Sequence, residues 1–419
     1  MKKVFMVLLS VLIISNSMIV SFAETDKEPM LNAKAAVLIN ASTGEVLYSK
    51  NMNQKMFPAS TTKIMTALLV LENLDLSSTV TIDKETAQTG GSQINLIEGE
   101  NITVEQLLYA LLLKSANDAA VALAKEVAGS IPEFADRMNA RAKDLGARDT
   151  NFVTPNGLHD DNHYTTAYDL AMITKGAMKN KKFRKIVTTL KYTIPETNKS
   201  DARVLHNPNK LLYSKAKIYV NGALKPLKYE DATGIKNGYT SEAGRCLVAG
   251  AKRENMELIS VVLKTTATGK FADSIALLDY GFENYKSISA IKKGDSLGKI
   301  KVIKGAVRNV EIVAAVSSYL TIPQNKADLK VNTKVIIDNK IEAPVSKGQK
   351  VGKVEIYTGN ILVDEVDVVT VKQVDKGGIL SVIGIPDSIS HILEIVLLAI
   401  IVLFGIFIFR HMVNINRRK

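Results

Sequence analysis

"FPASTTKIMTALLVL", residues 57–71, starts with a polar knot and then turns apolar. Pro58 followed by Ser60 is a helix-start signal, and from Ile64 to Leu71 the apolar positions are nearly continuous. A helix apolar on most of its faces has to be covered on most of its faces. The stretch therefore predicts a buried helix of a layered domain. Its polar entrance is a second signal. Positions i and i+3 share a helix face, so Ser60 and Lys63 meet. A lysine beside a serine can accept the hydroxyl proton once its ammonium form is disfavoured, and burial or a nearby cation does that. The helix N-terminus adds positive potential for an oxyanion near Ser60. Taken alone, Ser-x-x-Lys is common, and an N-capping serine beside a solvated lysine is the plainer reading.

Upstream, "AAVLIN" and "EVLYSK" flank the turn cluster "ASTG" and read as a hairpin. Downstream the spacing predicts helices from Val104 to about Leu113, capped by Thr103 with Gln106 three residues later, from Asn117 to a stop at Gly129, from Pro132 to Leu145, and from Thr166 to Met178. "RCLVAGAKRENMELISVVLKT" reads as two strands joined at "KREN", and "FADSIALLDYGFENY" as a closing helix. Helices between strands make an α/β or α+β domain, placed at 24–286. Beyond Ser287, Val/Ile/Lys alternation takes over, and two stretches echo each other: "KKGDSLGKIKVIKGAVRNVEIV" from Lys292 and "SKGQKVGKVEIYTGNILVDEVDV" from Ser346. Short alternating strands with glycines at turns predict a small all-β, sandwich-like domain over 287–376, without histidine or a carboxylate cluster.

The ends have their own logic. Lys2 and Lys3, an apolar run from Val4 to Ile14 and small residues at Ser21 and Ala23 have the layout of a secretory signal peptide, 1–23. After a linker, 377–391, the segment 392–409 is apolar apart from Glu394. At the helical rise it spans about 27 Å, close to a hydrocarbon core of roughly 30 Å. Arg410, Arg417, Arg418 and Lys419 follow in a cationic tail, 410–419, expected on the cytoplasmic side. The expected location is the outer face of a bacterial cell membrane, anchored by the C-terminal helix. Removing the six cations of these two ends and Glu394 takes the formal charge from +12 to +7 for the exported part, where nucleic acid is not an expected partner. A single cysteine, Cys246, leaves no internal disulfide and reads as a small core residue of a strand.

Two further stretches lift Ser60 and Lys63 above chance. "LLLKSANDAAVALA" places Ser115 and Asn117 just before a helix, and "ATGIKNGYTSEAG" places Lys236 and Gly238 on a strand. Ser-x-x-Lys, Ser-x-Asn and Lys-x-Gly, in this order, resemble the motif set of penicillin-recognising serine enzymes. The stretches from Ser92, from Phe152 and from Thr233 are similar to those of the D-alanyl-D-alanine carboxypeptidases among the low-molecular-mass penicillin-binding proteins. The domain order is similar too: catalytic domain, small β domain, membrane anchor.

The resemblance implies a catalytic domain of the penicillin-binding, serine β-lactamase-like fold. It implies a substrate, the D-Ala-D-Ala end of the peptidoglycan stem peptide, covalent capture by β-lactam antibiotics, and no cofactor or metal. It implies an acyl-enzyme at Ser60 with Lys63 as its base. Ser115 would relay a proton, and Asn117 would bind the substrate backbone or hold Lys63. Lys236 would bring a cation, and the backbone N–H groups of Ser60 and Tyr239 would form the oxyanion hole. Gly238 would leave room for a substrate along the strand. Thr240 and Lys270 are lesser candidates for the substrate carboxylate. One position departs from the pattern: the family usually has Thr or Ser where this chain has Asn237, whose amide still donates but is longer and planar. Asn237 is the reason to weigh a penicillin-binding scaffold or sensor without turnover. A β-lactamase is disfavoured because class A enzymes use an extra Glu, and no matching Glu-x-x-Leu-Asn stretch lies between the Ser-x-Asn and Lys-x-Gly motifs. His159, Asp160, Asp161 and His163 read as a solvated polar loop, not a metal site.

Overall fold

Alternation with a period of two organises the first part of the chain. Strands β1 (Ala35–Asn40), β2 (Val46–Lys50), β9 (Ala232–Thr240), β10 (Gly244–Arg253) and β11 (Met256–Thr265) form an antiparallel sheet in the order β2-β1-β11-β10-β9. Val37 pairs with Val261 and Leu247 with Asn237 in its register. In this computed structural model, which describes residues 28–325, 330–338, 340–378, 380–381 and 385–416, both faces of the sheet are covered. Val37, Ile39, Val248 and Ile259 pack into one core, and Leu38, Leu247, Leu258 and Val262 into another. The expected signal peptide, and Arg417, Arg418 and Lys419, lie outside the described residues.

The first core holds α1 (Lys63–Asn73), buried from Lys63 through Val70. Burying Ile64, Met65, Leu68, Leu69 and Val70 contributes roughly 10 kcal/mol at about 1.5–3 kcal/mol each, so the helix is held firmly whatever its polar end requires. That end differs from the expectation. Ser60 is not a cap: Ala59–Thr62 form a 3-10 turn, and the α-helix starts at Lys63. The turn is tightened by Thr61, whose hydroxyl donates to the Pro58 carbonyl at 2.6 Å.

Helix α2 (Val104–Tyr109) has the reciprocal Thr103–Gln106 cap read from the sequence, but it does not run on as an α-helix. Ala110–Lys114 widen into a π-helical turn, and Ser115 ends it in the left-handed region at φ 62°. Then come α3 (Asn117–Ala128), α4 (Ile131–Asp144) and α5 (Ala167–Ala177), the last two started by Ser130 and Thr166. Helix α6 (Lys181–Thr188), the short pair β3 (Thr79–Thr81) and β4 (Asn101–Thr103), and the hairpins β5 (Lys191–Ile194) with β6 (Arg203–His206) and β7 (Lys217–Val220) with β8 (Ala223–Pro226) were not legible in the periodicity. Helix α7 (Gly269–Asn284) covers the second sheet face with Phe271, Ile275, Leu277 and Leu278. The result is helices, sheet and helix in three layers.

β12 (Tyr285–Ile291) follows α7 directly. It pairs with β15 (Ser318–Pro323). A six-stranded sheet runs in the order β16-β18-β19-β14-β13-β17, built from β13 (Ser296–Ile303), β14 (Asn309–Ala314), β16 (Val331–Ile337), β17 (Ile341–Glu342), β18 (Lys350–Thr358) and β19 (Ile361–Thr370). Ile291, Leu320, Ile312, Val354 and Val368 join both sheets in one core. The two echoing stretches are the hairpins β13–β14 and β18–β19, which meet along β14 and β19. Each opens with a turn whose glycine needs positive φ, Gly294 at 88° and Gly348 at 77°. Helix α8 (Asp387–Asn416) is longer than the expected 392–409, because Asp387 to His391 of the expected linker are already helical. Among the described residues it is the one helix long and apolar enough to cross a membrane.

One buried pair supports the wall beside the motif residues. Glu100 is fully buried and accepts Arg203 in fork geometry at 2.6 and 2.8 Å, with Thr197 and the Ile97 amide completing its shell. It joins the loop before β4 to the β5–β6 hairpin. Removing one partner of such a pair strands a charge. Arg203→Ala is therefore expected to cost about 3–5 kcal/mol, read as a lower denaturant midpoint of the full chain in detergent. Adding Glu100→Gln to it recovers much of the loss.

Candidate active site

The three motifs come from different elements, and the fold brings them to one cleft at the edge of the sheet. The 3-10 turn carries Ser60, α1 begins with Lys63, the π-helical turn delivers Ser115, α3 begins with Asn117, and β9, the edge strand, carries Lys236 to Thr240. Two backbone positions show the cost of this assembly. Ala59 at φ 48° and Ser115 at φ 62° both occupy the left-handed region, which non-glycine residues rarely adopt. Ala59 directly precedes the first cleft hydroxyl, and Ser115 carries the second.

Lys63 is the centre of the arrangement. It is fully buried, and its Nζ stands 3.0 Å from Ser60 Oγ, 2.8 Å from Asn117 Oδ1 and 2.6 Å from the Asn156 carbonyl oxygen. Burial holds its amine well below the usual lysine range. The Lys236 charge pushes the same way, and Asp118 opposes. A neutral amine has two N–H bonds and one lone pair. The Asn156 carbonyl can only accept, and Asn117 turns its oxygen to Lys63 because its amide nitrogen donates to the Gly90 carbonyl at 2.8 Å. These two acceptors take both N–H bonds. The lone pair is left for the Ser60 hydroxyl, which is the geometry a general base needs.

A second lysine serves the second hydroxyl. Lys236, 1% exposed, donates to Ser115 Oγ at 3.0 Å and to the Asn237 carbonyl at 2.9 Å. Burial, and then the cation of Lys270, bring it down to about 7. Lys270 is itself buried and lowered to about 8, by burial and by Arg245 and Lys210. These cations make the β9 side of the cleft a place for an anion. Asn117 is fixed by its neighbour Asp118, whose buried carboxylate accepts the amides of Ile94, Leu96 and Ala119, so the loop over Asn117 is fastened to α3.

Gly238 has a reason the sequence did not reveal. A Cβ there would lie 2.9 Å from the Ser60 nitrogen and 3.1 Å from the Ala59 Cβ and the Pro58 carbonyl oxygen. The glycine lets β9 close against the nucleophile's own turn, beyond leaving room for a substrate. The outer edge of β9 has no strand partner among the described residues, so an extended peptide can add to it. Tyr239 is 55% exposed, with its ring under the Arg245 guanidinium at 3.7 Å. Thr240 turns its hydroxyl to the Ala243 amide at 3.0 Å and so caps the β9–β10 turn. Asn237 lies half-buried on β9 beside Lys236. Cys246 is buried in β10.

Sequence reasoning missed two residues here. Asn156 contributes through its backbone oxygen, which no side-chain pattern marks. His163 reads as solvated in the sequence, but it is 2% exposed and hydrogen-bonded to Thr62. His206 ends β6, and Glu100 is a buried ion-pair partner of Arg203. Among the described residues no group of histidines, cysteines and carboxylates could hold a metal.

The charge coupling has a measurable consequence. Lys270 disfavours the ammonium of Lys236, so its removal raises the Lys236 pKa from about 7. A protonated Lys236 then persists to higher pH. In Lys270→Met the alkaline limb of the pH profile of serine acylation is expected to move upward. A chromogenic β-lactam followed across roughly pH 5–10, wide enough to titrate both lysines, measures it.

Comparison with known proteins agrees with this geometry. Residues 22–267 match the peptidase S11 family model, described as D-alanyl-D-alanine carboxypeptidase, and residues 285–376 match the C-terminal domain of penicillin-binding protein 5. D-alanyl-D-alanine carboxypeptidase DacF of Bacillus subtilis (strain 168) is 34% identical over 355 residues, covering 83% of this chain and 87% of that protein. Penicillin-binding protein 5 from Haemophilus influenzae superposes with a TM-score of 0.61 at 29% identity, over 83% of this chain and 98% of that one. A peptidoglycan synthesis regulatory factor (PBP3) from Streptococcus pneumoniae gives 0.66 at 26%, over 83% and 100%. With both of its domains matched, and with Ser60 and Lys63 meeting as the first motif requires, the chain belongs to the peptidase S11 family of D-alanyl-D-alanine carboxypeptidases.

Proposed function

We propose that this chain is a serine-type D-Ala-D-Ala carboxypeptidase that trims peptidoglycan stem peptides. The observation that carries the reading is the desolvated Lys63 amine aimed at Ser60 Oγ. The stem peptide lies along the open edge of β9 with its terminal carboxylate among the cations on that side. Ser60 Oγ attacks the carbonyl carbon of the D-Ala–D-Ala bond, and its proton passes to Lys63. The developing oxyanion sits against the backbone N–H groups of Ser60 and Tyr239. The C–N bond breaks as the leaving D-alanine nitrogen takes a proton through Ser115, which Lys236 orients. Water then adds to the Ser60 ester with Lys63 again as base, and the shortened peptide leaves. A β-lactam follows the first half of this path and stays as a stable ester on Ser60. Asn237, in place of a hydroxyl residue, supports a second reading in which the acyl-enzyme forms but does not turn over.

Ser60→Ala is expected to abolish covalent labelling by a fluorescent penicillin while the thermal midpoint stays unchanged, and wild type is expected to release D-alanine from a D-Ala-D-Ala peptide. Labelling without release favours the scaffold reading. Labelling of the Ser60→Ala protein removes Ser60 from its role.

The reading extends to location. An exported chain with segment 1–23 removed and α8 in the bilayer would hold the cleft on the wall side of the cell membrane. Such a position suits a part in cell-wall biogenesis and cell shape. The exposed apolar surface of α8 supports this. Ending the chain before Asp387 is expected to yield a protein that leaves the membrane fraction and still takes up penicillin. Retention of the shortened protein on membranes after a high-salt wash would show that another segment binds lipid.

A further inference from the structure

The group that fixes the Lys63 lone pair, the Asn156 carbonyl, belongs to a loop, and loops do not hold a carbonyl to a few tenths of an ångström unaided. Two ties reach this loop from the nucleophile's side. Thr66, one turn along α1, donates its hydroxyl to the Pro155 carbonyl at 2.5 Å. The other tie runs through His163. Its Nδ1 faces the backbone N–H groups of Val153 at 3.0 Å and Thr154 at 3.2 Å. Both are donors, so Nδ1 is the acceptor and the ring proton sits on Nε2. Nε2 then donates to Thr62 Oγ1 at 2.9 Å. Thr62 is the last residue of the turn that carries Ser60 and directly precedes Lys63. The space between the segments is full: a Cβ on Gly157 would lie 1.9 Å from the Ala59 carbonyl oxygen and 2.7 Å from Thr62 Oγ1. The ring is buried against Phe152 at 5.5 Å between centroids.

We propose that His163 is a positioning residue for the Ser60–Lys63 pair. As an Nε2–H imidazole it bridges the loop limb of Val153 and Thr154 to Thr62. It thereby holds the Asn156 carbonyl where that oxygen takes one N–H of Lys63 and leaves the lone pair on Ser60. The kinetic consequence rests on the carboxypeptidase reading, and the structural one on geometry alone. The titratable neighbours of the ring are Asp160 and His159 on its own loop and Lys63 on α1. Burial keeps the imidazole neutral, down to about 4, with Asp160 opposing and His159 and Lys63 assisting. The tautomer therefore holds throughout the pH range in which Lys63 works.

The test cuts the bridge at either end, using the full chain in detergent. His163→Asn keeps an acceptor near the Nδ1 position but loses the donor to Thr62. Thr62→Val keeps the shape and loses the acceptor. Each is expected to slow the covalent step of acylation by a fluorescent penicillin about tenfold, equivalent to roughly 1.4 kcal/mol. The dissociation constant of the preceding non-covalent complex should stay within about twofold of wild type. The double variant should be no slower than the slower single one, because both remove the same bridge. A wild-type covalent rate in either variant, or multiplying effects, overturns the proposal. Hydrogen exchange supplies the readout that needs no chemistry: the 152–158 segment should exchange faster in Thr62→Val, and unchanged exchange also overturns the proposal. A wild-type protein that takes up no penicillin would instead overturn the carboxypeptidase reading, and the exchange measurement would still decide the bridge.

Discussion

The structure depends on keeping one ammonium group out of water. Bringing a charged lysine into a protein interior costs several kcal/mol even after relaxation, and the cheaper outcome is loss of the proton. Lys63 is pushed in that direction, well below the usual lysine range, because it is fully buried with a second cation, Lys236, close by. What makes it possible is the apolar surface of the helix that Lys63 begins. Ile64 to Val70 are buried between the sheet and the surrounding helices, so the first turn cannot slide outward to rehydrate its lysine.

Around that amine every partner is arranged by a different element. Asn117 comes from the start of α3 and is turned by the Gly90 carbonyl; Asn156 comes from a loop; Ser60 comes from a 3-10 turn wedged against Gly238. The left-handed residues Ala59 and Ser115 show local backbone preference yielding to this assembly. Such conformations cost about 1–3 kcal/mol each and persist where the surroundings over-determine them. Here the surroundings are the packed turn, the π-helical turn and the edge strand.

The edge position of β9 connects the site to its use. A central strand spends both edges on neighbours, whereas β9 pairs with β10 and leaves the other edge to the cleft. The same strand carries the lysine, and Gly238 lets it approach the nucleophile. The C-terminal β domain continues from α7 through Tyr285, whose hydroxyl donates to the Leu47 carbonyl at 3.1 Å, and a bond between Asn40 and Thr321 adds to the junction.

Local pattern was enough to specify the layered class of the first domain, the β texture of the second, and the residue types at Ser60, Lys63, Ser115, Asn117 and Lys236. These are signals of period and spacing: a continuous apolar run, a capping box at Thr103, alternating strands, glycines at turns. The same chain order carried the motif set that relates the protein to its family. The remaining features waited for the folded chain. The 3-10 turn at Ser60 and the π-helical turn before Ser115 depend on packing from other elements, which no helical periodicity encodes. Glu100 finds Arg203 across about a hundred positions of chain, and only that pairing makes it a buried ion. Asn156 acts through a backbone oxygen, which every residue possesses, so its type gives no sign. His163 looks like a surface histidine among aspartates until the loop folds back on Thr62 and buries it. A side chain's chemistry is local, but its protonation and its aim depend on what surrounds it, and here those surroundings come from distant parts of the chain.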